Sequence, residues 1–170
     1  GMMQSKYHEK WANQDVYEIP NPYGFMRKTP YNSLFVSGEW DDNLESFIKE
    51  NPVEAIYLNI AWGWRGNDYA FLEKIQTLKK VDILTGGHSK GLDSLTRLPA
   101  LVELSVTTAT IDKPLDFSKC TMLKKCFVSW KKQYADIFNH STLEELYIDG
   151  LDAEFNPQLA QLTQLRFLQL

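Results

Sequence analysis

The chain has 170 residues, 44% of them hydrophobic and 24% charged, a balance that suits one ordinary globular domain. A formal net charge of -4 and a pI near 5.4 supply no basic footprint for a nucleic acid, and no apolar run reaches the roughly 20 residues of a membrane-spanning helix. Two cysteines, Cys120 and Cys126, cannot build a disulfide framework, and no secretory leader is read at the start, so a reducing, cytoplasmic setting is expected.

Residues 1–30 mix aromatics (Tyr7, Trp11, Tyr17, Tyr23, Phe25) with Pro20, Pro22 and Pro30 and share no pattern with the rest of the chain. They are expected to form an N-terminal cap, helical over Lys6 to Gln14 and otherwise an irregular proline-rich wrap. A recruitment tail for another protein is the alternative. From residue 31 the spacing apolar-x-x-apolar-x-apolar recurs seven times. It runs through Tyr31/Leu34/Val36, Val53/Ile56/Leu58, Leu78/Val81/Ile83, Leu101/Leu104/Val106, Leu123/Cys126/Val128, Leu143/Leu146/Ile148 and Leu165/Leu168/Leu170. The starts lie 22, 25, 23, 22, 20 and 22 residues apart.

Each unit reads as two halves. Positions 4 and 6 alternate with polar or aromatic residues at 3, 5 and 7, which predicts a short strand. The remainder returns the chain. Asp68 to Leu78 has helical spacing at Phe71, Leu72, Ile75 and Leu78, with Asp68 as its cap. Gly91 to Leu101 carries leucines at 92, 95 and 98 before Pro99, and Leu115/Phe117, Ile137/Phe138 and Leu159/Leu162 mark shorter returns. Glu39, Asp41 and Asp42 after Gly38 are expected to solvate a turn.

A period in the twenties with this internal spacing resembles the leucine-rich-repeat superfamily over residues 31–170. The asparagine usual at position 9 is replaced by Ala61, Gly86, Ala109, Lys131 and Leu151, which is similar to divergent bacterial members. The resemblance implies an α/β solenoid of about seven rungs. A curved parallel sheet would line its concave side, short helices or 3₁₀ turns its convex side, and residues 1–30 would cap it within the same structural domain.

On such a sheet position 5 faces solvent and reads Phe35, Tyr57, Asp82, Ser105, Phe127, Tyr147, Gln169. Position 3 adds Phe167, and the loops after the strands add Trp62, Trp64 and Trp130. Aromatics at these places either anchor a partner or stack across strands; Trp130 also has the parity of an inward residue. The candidate partner-binding set is therefore Phe35, Tyr57, Trp62, Trp64, Asp82, Phe127, Trp130, Tyr147 and Phe167. Charges at positions 2 and 3 alternate in sign from unit to unit, which assigns them to strand register rather than to a ligand.

No catalytic pattern emerges. Gly86-Gly87-His88-Ser89-Lys90-Gly91 lacks the Lys-Ser/Thr ending of a phosphate loop and reads as a turn. His8, His88 and His140 have no ligand-spaced companions, and Cys126 should point inward. The expectation is a non-catalytic protein-binding scaffold of adaptor, inhibitor or immunity type, without metal or cofactor. The alternative is a carbohydrate or small-ligand module using a Trp62/Trp64 ledge. The last copy of the spacing, 165–170, carries no return segment and leaves an edge strand to be covered: by a continuation of the natural chain, by a second copy in a homodimer, or in some other way.

Overall fold

Period-two alternation places both apolar side chains of a unit on one face of a pleated strand, so each copy of the spacing can form a strand only if that face is covered. The computed structural model describes residues 18–21, 23–28 and 30–170. The expected helix over Lys6 to Gln14 lies outside them. Strands β1 (Glu18–Asn21) and β2 (Gly24–Arg27) form an antiparallel hairpin, and β2 pairs antiparallel with β3 (Ser33–Val36). Part of the expected irregular wrap is thus regular sheet. The chain continues through β4 (Ala55–Asn59), β5 (Lys80–Leu84), β6 (His88–Ser89), β7 (Glu103–Thr107), β8 (Thr110–Ile111), β9 (Lys125–Ser129), β10 (Glu145–Asp149) and β11 (Phe167–Gln169).

Nine of these strands make one open sheet in the order β1-β2-β3-β4-β5-β7-β9-β10-β11, parallel at every junction from β3 onward. The fold is mixed α/β, with a large and mostly parallel sheet. Short β6 and β8 pair separately where Gly86 and Gly87 turn the chain after β5, so the glycine-rich stretch serves as a turn into a strand.

Register places Leu34, Ile56, Val81, Leu104, Cys126 and Leu146 side by side on one face, with Leu58, Ile83, Val106, Val128 and Ile148 beside them. All are buried. Burial of a Leu, Ile or Val side chain is worth about 1.5–3 kcal/mol, so these two rows, with the return segments packed on them, form the core.

Most returns are 3₁₀ rather than α-helical: Ala70–Lys74, Leu92–Arg97, Phe117–Lys119, Lys132–Asn139 and Ala153–Gln161. The expected helix over Asp68 to Leu78 is one of them. The reason is a three-residue period that runs from each return into the next strand. Leu72, Ile75 and Leu78 follow it, joined by the N–H bonds Leu72→Tyr69, Ile75→Leu72 and Leu78→Ile75. Leu95, Leu98 and Leu101 repeat it, as do Phe117, Cys120 and Leu123, then Leu159, Leu162 and Leu165. In a 3₁₀ helix residues i and i+3 eclipse, so one apolar stripe faces the sheet. Asp68 still acts at the turn, its Oδ1 accepting from the Ala70 N–H at 3.0 Å.

One return is a true α-helix, α1 (Asp42–Glu50), and it overturns the reading of the acids after Gly38 as mere solvation. Asp41 is its N-cap, accepting from the Leu44 N–H at 2.8 Å, while Asp42 and Glu45 occupy the first turn and Lys49 the last. Acids near the start and a base near the end suit the helix dipole. Leu44 and Ile48, four apart, are its buried pair. His140 is structural: its Nε2–H donates to the Cys120 carbonyl at 2.7 Å, and its Nδ1 accepts from the Thr142 N–H at 3.2 Å.

Replacing an N-cap carboxylate by alanine costs about 1 kcal/mol. Asp41→Ala should therefore lower the urea midpoint, while Asp41→Ser, which keeps an acceptor, should hold it close to wild type. Equal midpoints for all three proteins would reject the capping role.

Candidate functional site on the outer face of the sheet

The face opposite the core presents position 5 as one column, each residue directly paired with the next: Phe35, Tyr57, Asp82, Ser105, Phe127, Tyr147, Gln169. Strand pairing sets this order, but it does not make the column uniform.

At the β3 end the aromatics cover one another. The hairpin lays Phe25 on Phe35 (centroids 4.4 Å apart, 7° between planes), and Phe35 stacks on Tyr57 (4.1 Å, 5°). Trp62 meets Phe25 and Phe35 edge-on at 5.6 and 5.3 Å. Phe35 and Trp62 are consequently buried, at 1% and 7% exposure, which corrects their expected place on the solvated surface. Phe25, which falls within the expected cap, closes this end. Its signal in the sequence is the alternation of Phe25 and Arg27 about Met26, a strand pattern hidden by the neighbouring prolines.

Trp64 is corrected too. Gly63 adopts a left-handed φ of 96°, open to a residue without Cβ. The two indoles end on opposite sides of the sheet, Trp62 in the outer cluster and Trp64 in the main core. The Trp64 Nε1–H donates to the Tyr69 hydroxyl at 3.0 Å. No Trp62/Trp64 ledge is formed. Trp64 instead backs an open cleft of about 480 Å³ whose lining includes Trp40, Asn67 and Asp68. Trp130 is half-buried against Phe138 (5.6 Å) and Phe155 (5.0 Å), in keeping with its inward parity.

The β5-to-β11 end is different. Asp82, Ser105 and Tyr147 are half-buried, and Phe127 and Phe167 are 38% and 47% exposed. The Tyr147 and Phe167 rings lie 5.1 Å apart, tilted by 36°. The Lys125 ammonium stands 5.9 Å from the Tyr147 ring centre, and Lys80 stands 5.3 Å from that of Tyr57.

Beside the column, charges pair across strands. Lys79 meets Glu54 at 2.9 Å, Lys80 meets Glu103 at 3.7 Å and Arg166 meets Glu144 at 3.8 Å. Glu103 and Glu145 also flank Lys125 in register. Exposed pairs of this kind contribute about 0.2–1 kcal/mol. Asp82 differs from them. Burial pushes its carboxyl above the ordinary 3.8, with the Lys80 charge and the Asn59 amide pulling the other way.

Both thiols are buried. Burial, helped by Asp136, pushes Cys120 up to about 12, and burial raises Cys126 as well, so neither is a thiolate nucleophile near neutral pH. Among the described residues no three His, Cys, Asp or Glu side chains are grouped to hold a metal ion, and no helix is long and apolar enough to cross a membrane. No family model and no curated protein matches the chain.

Because its folded pKa is raised, Asp82 contributes most favourably when protonated, and its ionisation costs stability as pH rises through that pKa. Asp82→Asn, neutral and similar in shape, should therefore be more stable than wild type at neutral pH. The gain should shrink as pH falls toward 3.8. Urea titrations across that range test this; a variant less stable at neutral pH would contradict it.

Proposed function

We propose that the chain is a leucine-rich-repeat-type solenoid of divergent bacterial kind. In this reading it is a non-catalytic, cytoplasmic scaffold that binds one protein partner on its concave sheet face. One strand per sequence repeat, joined by returns of three-residue period, supports the architecture. The observation that supports the function is the exposure of Phe127 and Phe167 around Tyr147, on a sheet face where no described side chain seals them. Aromatic anchors bring large contact area at low entropy cost and dominate binding hot spots. The working surface is therefore Asp82, Phe127, Tyr147 and Phe167, with Ser105 between them, and Tyr57 forms its wall. An adaptor, inhibitor or immunity-type protein fits such a surface, and no cofactor is assigned. The carbohydrate reading loses its platform, since both indoles on which it relied are buried.

Affinity capture from the source lysate tests the site. Phe127→Ala combined with Tyr147→Ala should lower recovery of the partner at least about tenfold, the loss expected for a hot-spot pair. Equal recovery with the double variant would remove the site from consideration.

A second reading concerns self-association. Leu168 and Leu170 occupy positions that are inward in the other repeats, yet they are 40% and 59% exposed. We propose that two copies meet through residues 165–170, pairing edge strand with edge strand about a two-fold axis. Sedimentation should show a concentration-dependent dimer that Leu168→Lys abolishes. A strict monomer at high concentration would reject it.

A further inference from the structure

Resting on the reading of the outer face as a protein-binding surface, we propose that its partner inserts an arginine over Asp82 and sets an apolar side chain on Phe127. Three observations lead there.

The first is shape. Tyr57, Asp82, Ser105 and Phe127 are direct neighbours on consecutive strands of the sheet. At about 4.8 Å per strand, the backbones under the two aromatics stand about 14 Å apart. Between them stand the short side chains of Asp82 and Ser105, with the Lys80 ammonium 5.3 Å from the Tyr57 ring centre. The two rings and the Lys80 side chain over Tyr57 narrow that gap below the roughly 10–12 Å diameter of a helix. A side chain enters, not a backbone element.

The second is charge. Strands β5, β7, β9 and β10 carry the acids Asp82, Glu103, Glu145 and Asp149 against the bases Lys80 and Lys125. Within these strand bounds the acids outnumber the bases by four to two. The row beside the column balances itself, Lys80 on Glu103 and Lys125 between Glu103 and Glu145. Lys80 is divided between Glu103 and the Tyr57 ring. Among the described residues Asp82 makes no ion pair within 4.0 Å, and its partners are the Asn59 amide and the more distant Lys80 charge. A half-buried carboxylate in this position is a cost that asparagine or serine would spare the fold, and an incoming cation removes it.

The third is the fit of the guanidinium. It binds a carboxylate through two parallel hydrogen bonds, and it is more weakly hydrated than an ammonium. Lysine offers a point charge without that pair of bonds. The distance from Asp82 to Phe127 is two strand spacings, about 9.6 Å. Residues i and i+3 of a polyproline II segment lie on one face about 9.3 Å apart. An Arg-x-x-apolar segment in that conformation therefore reaches both groups at once.

The probe is a capped peptide containing Arg-Pro-Pro-Leu, with citrulline and glutamate versions as controls. Citrulline keeps the shape of arginine and removes its charge. Calorimetry and amide chemical shifts at residues 82, 105 and 127 are the readouts. The arginine peptide should bind roughly tenfold more tightly than the citrulline peptide, the difference expected of one charge-assisted contact. Asp82→Asn should erase that difference without weakening the citrulline peptide, and Lys80→Ala should preserve it. The proposal is overturned if arginine and citrulline bind alike, if the preference survives in Asp82→Asn, if the glutamate peptide binds best, or if none binds. In any of those cases, loss of lysate capture in the Phe127/Tyr147 double variant would leave the wider reading standing.

Discussion

Parallel register between neighbouring strands is the constraint on which the rest depends. A residue's face alternates with every step along a strand, so a slip of one would turn Val81 or Leu104 outward and Asp82 or Ser105 into the core. The apolar rows at positions 4 and 6 forbid this, because two buried rows would be lost together. Once they are locked, everything opposite them is locked as well. The outer column and the paired charges beside it are consequences of how the core packs, and their spacing is that of the strands.

The same constraint explains why the returns take the form they do. Each must bring the chain back over the core and deliver it one strand further along. A three-residue apolar stripe hydrogen-bonded i to i−3 does this with few residues, and it runs directly into position 1 of the next strand. Only between β3 and β4 does the return become an α-helix, where Asp41 supplies a cap and Leu44 and Ile48 supply a four-residue buried pair. That segment also has charged residues suited to both ends of a helix.

The outer face divides into a finished part and an open part. Near β3, the hairpin and Trp62 cover the stack of Phe25, Phe35 and Tyr57, so aromatic surface there serves stability. Toward β11, Phe127 and Phe167 are exposed, and Tyr147 meets the Phe167 ring and the Lys125 ammonium. Asp82 lies where the two parts meet. Its carboxylate is half-buried there, two strands from the exposed Phe127.

Strand positions, inward residues and the pairing of opposite charges were all legible in the chain, since each depends on a local period that any parallel stacking of the units must respect. The 3₁₀ period was legible in principle, in leucines three apart, but it was masked by an equally good α-helical spacing, i, i+4 and i+7, at Phe71, Ile75 and Leu78. The solvent exposure of the candidate site was not legible. Phe35 and Phe127 occupy the same position of the same pattern, yet one is sealed and the other open. What separates them is Phe25, ten residues before Phe35, and Trp62, twenty-seven after it, together with the left-handed turn at Gly63 that parts Trp62 from Trp64. The sequence by itself determined which residues share a face, because that follows from backbone geometry repeated unit by unit. Which of those residues remain uncovered was decided only by tertiary structure, because covering depends on side chains brought from elsewhere in the chain.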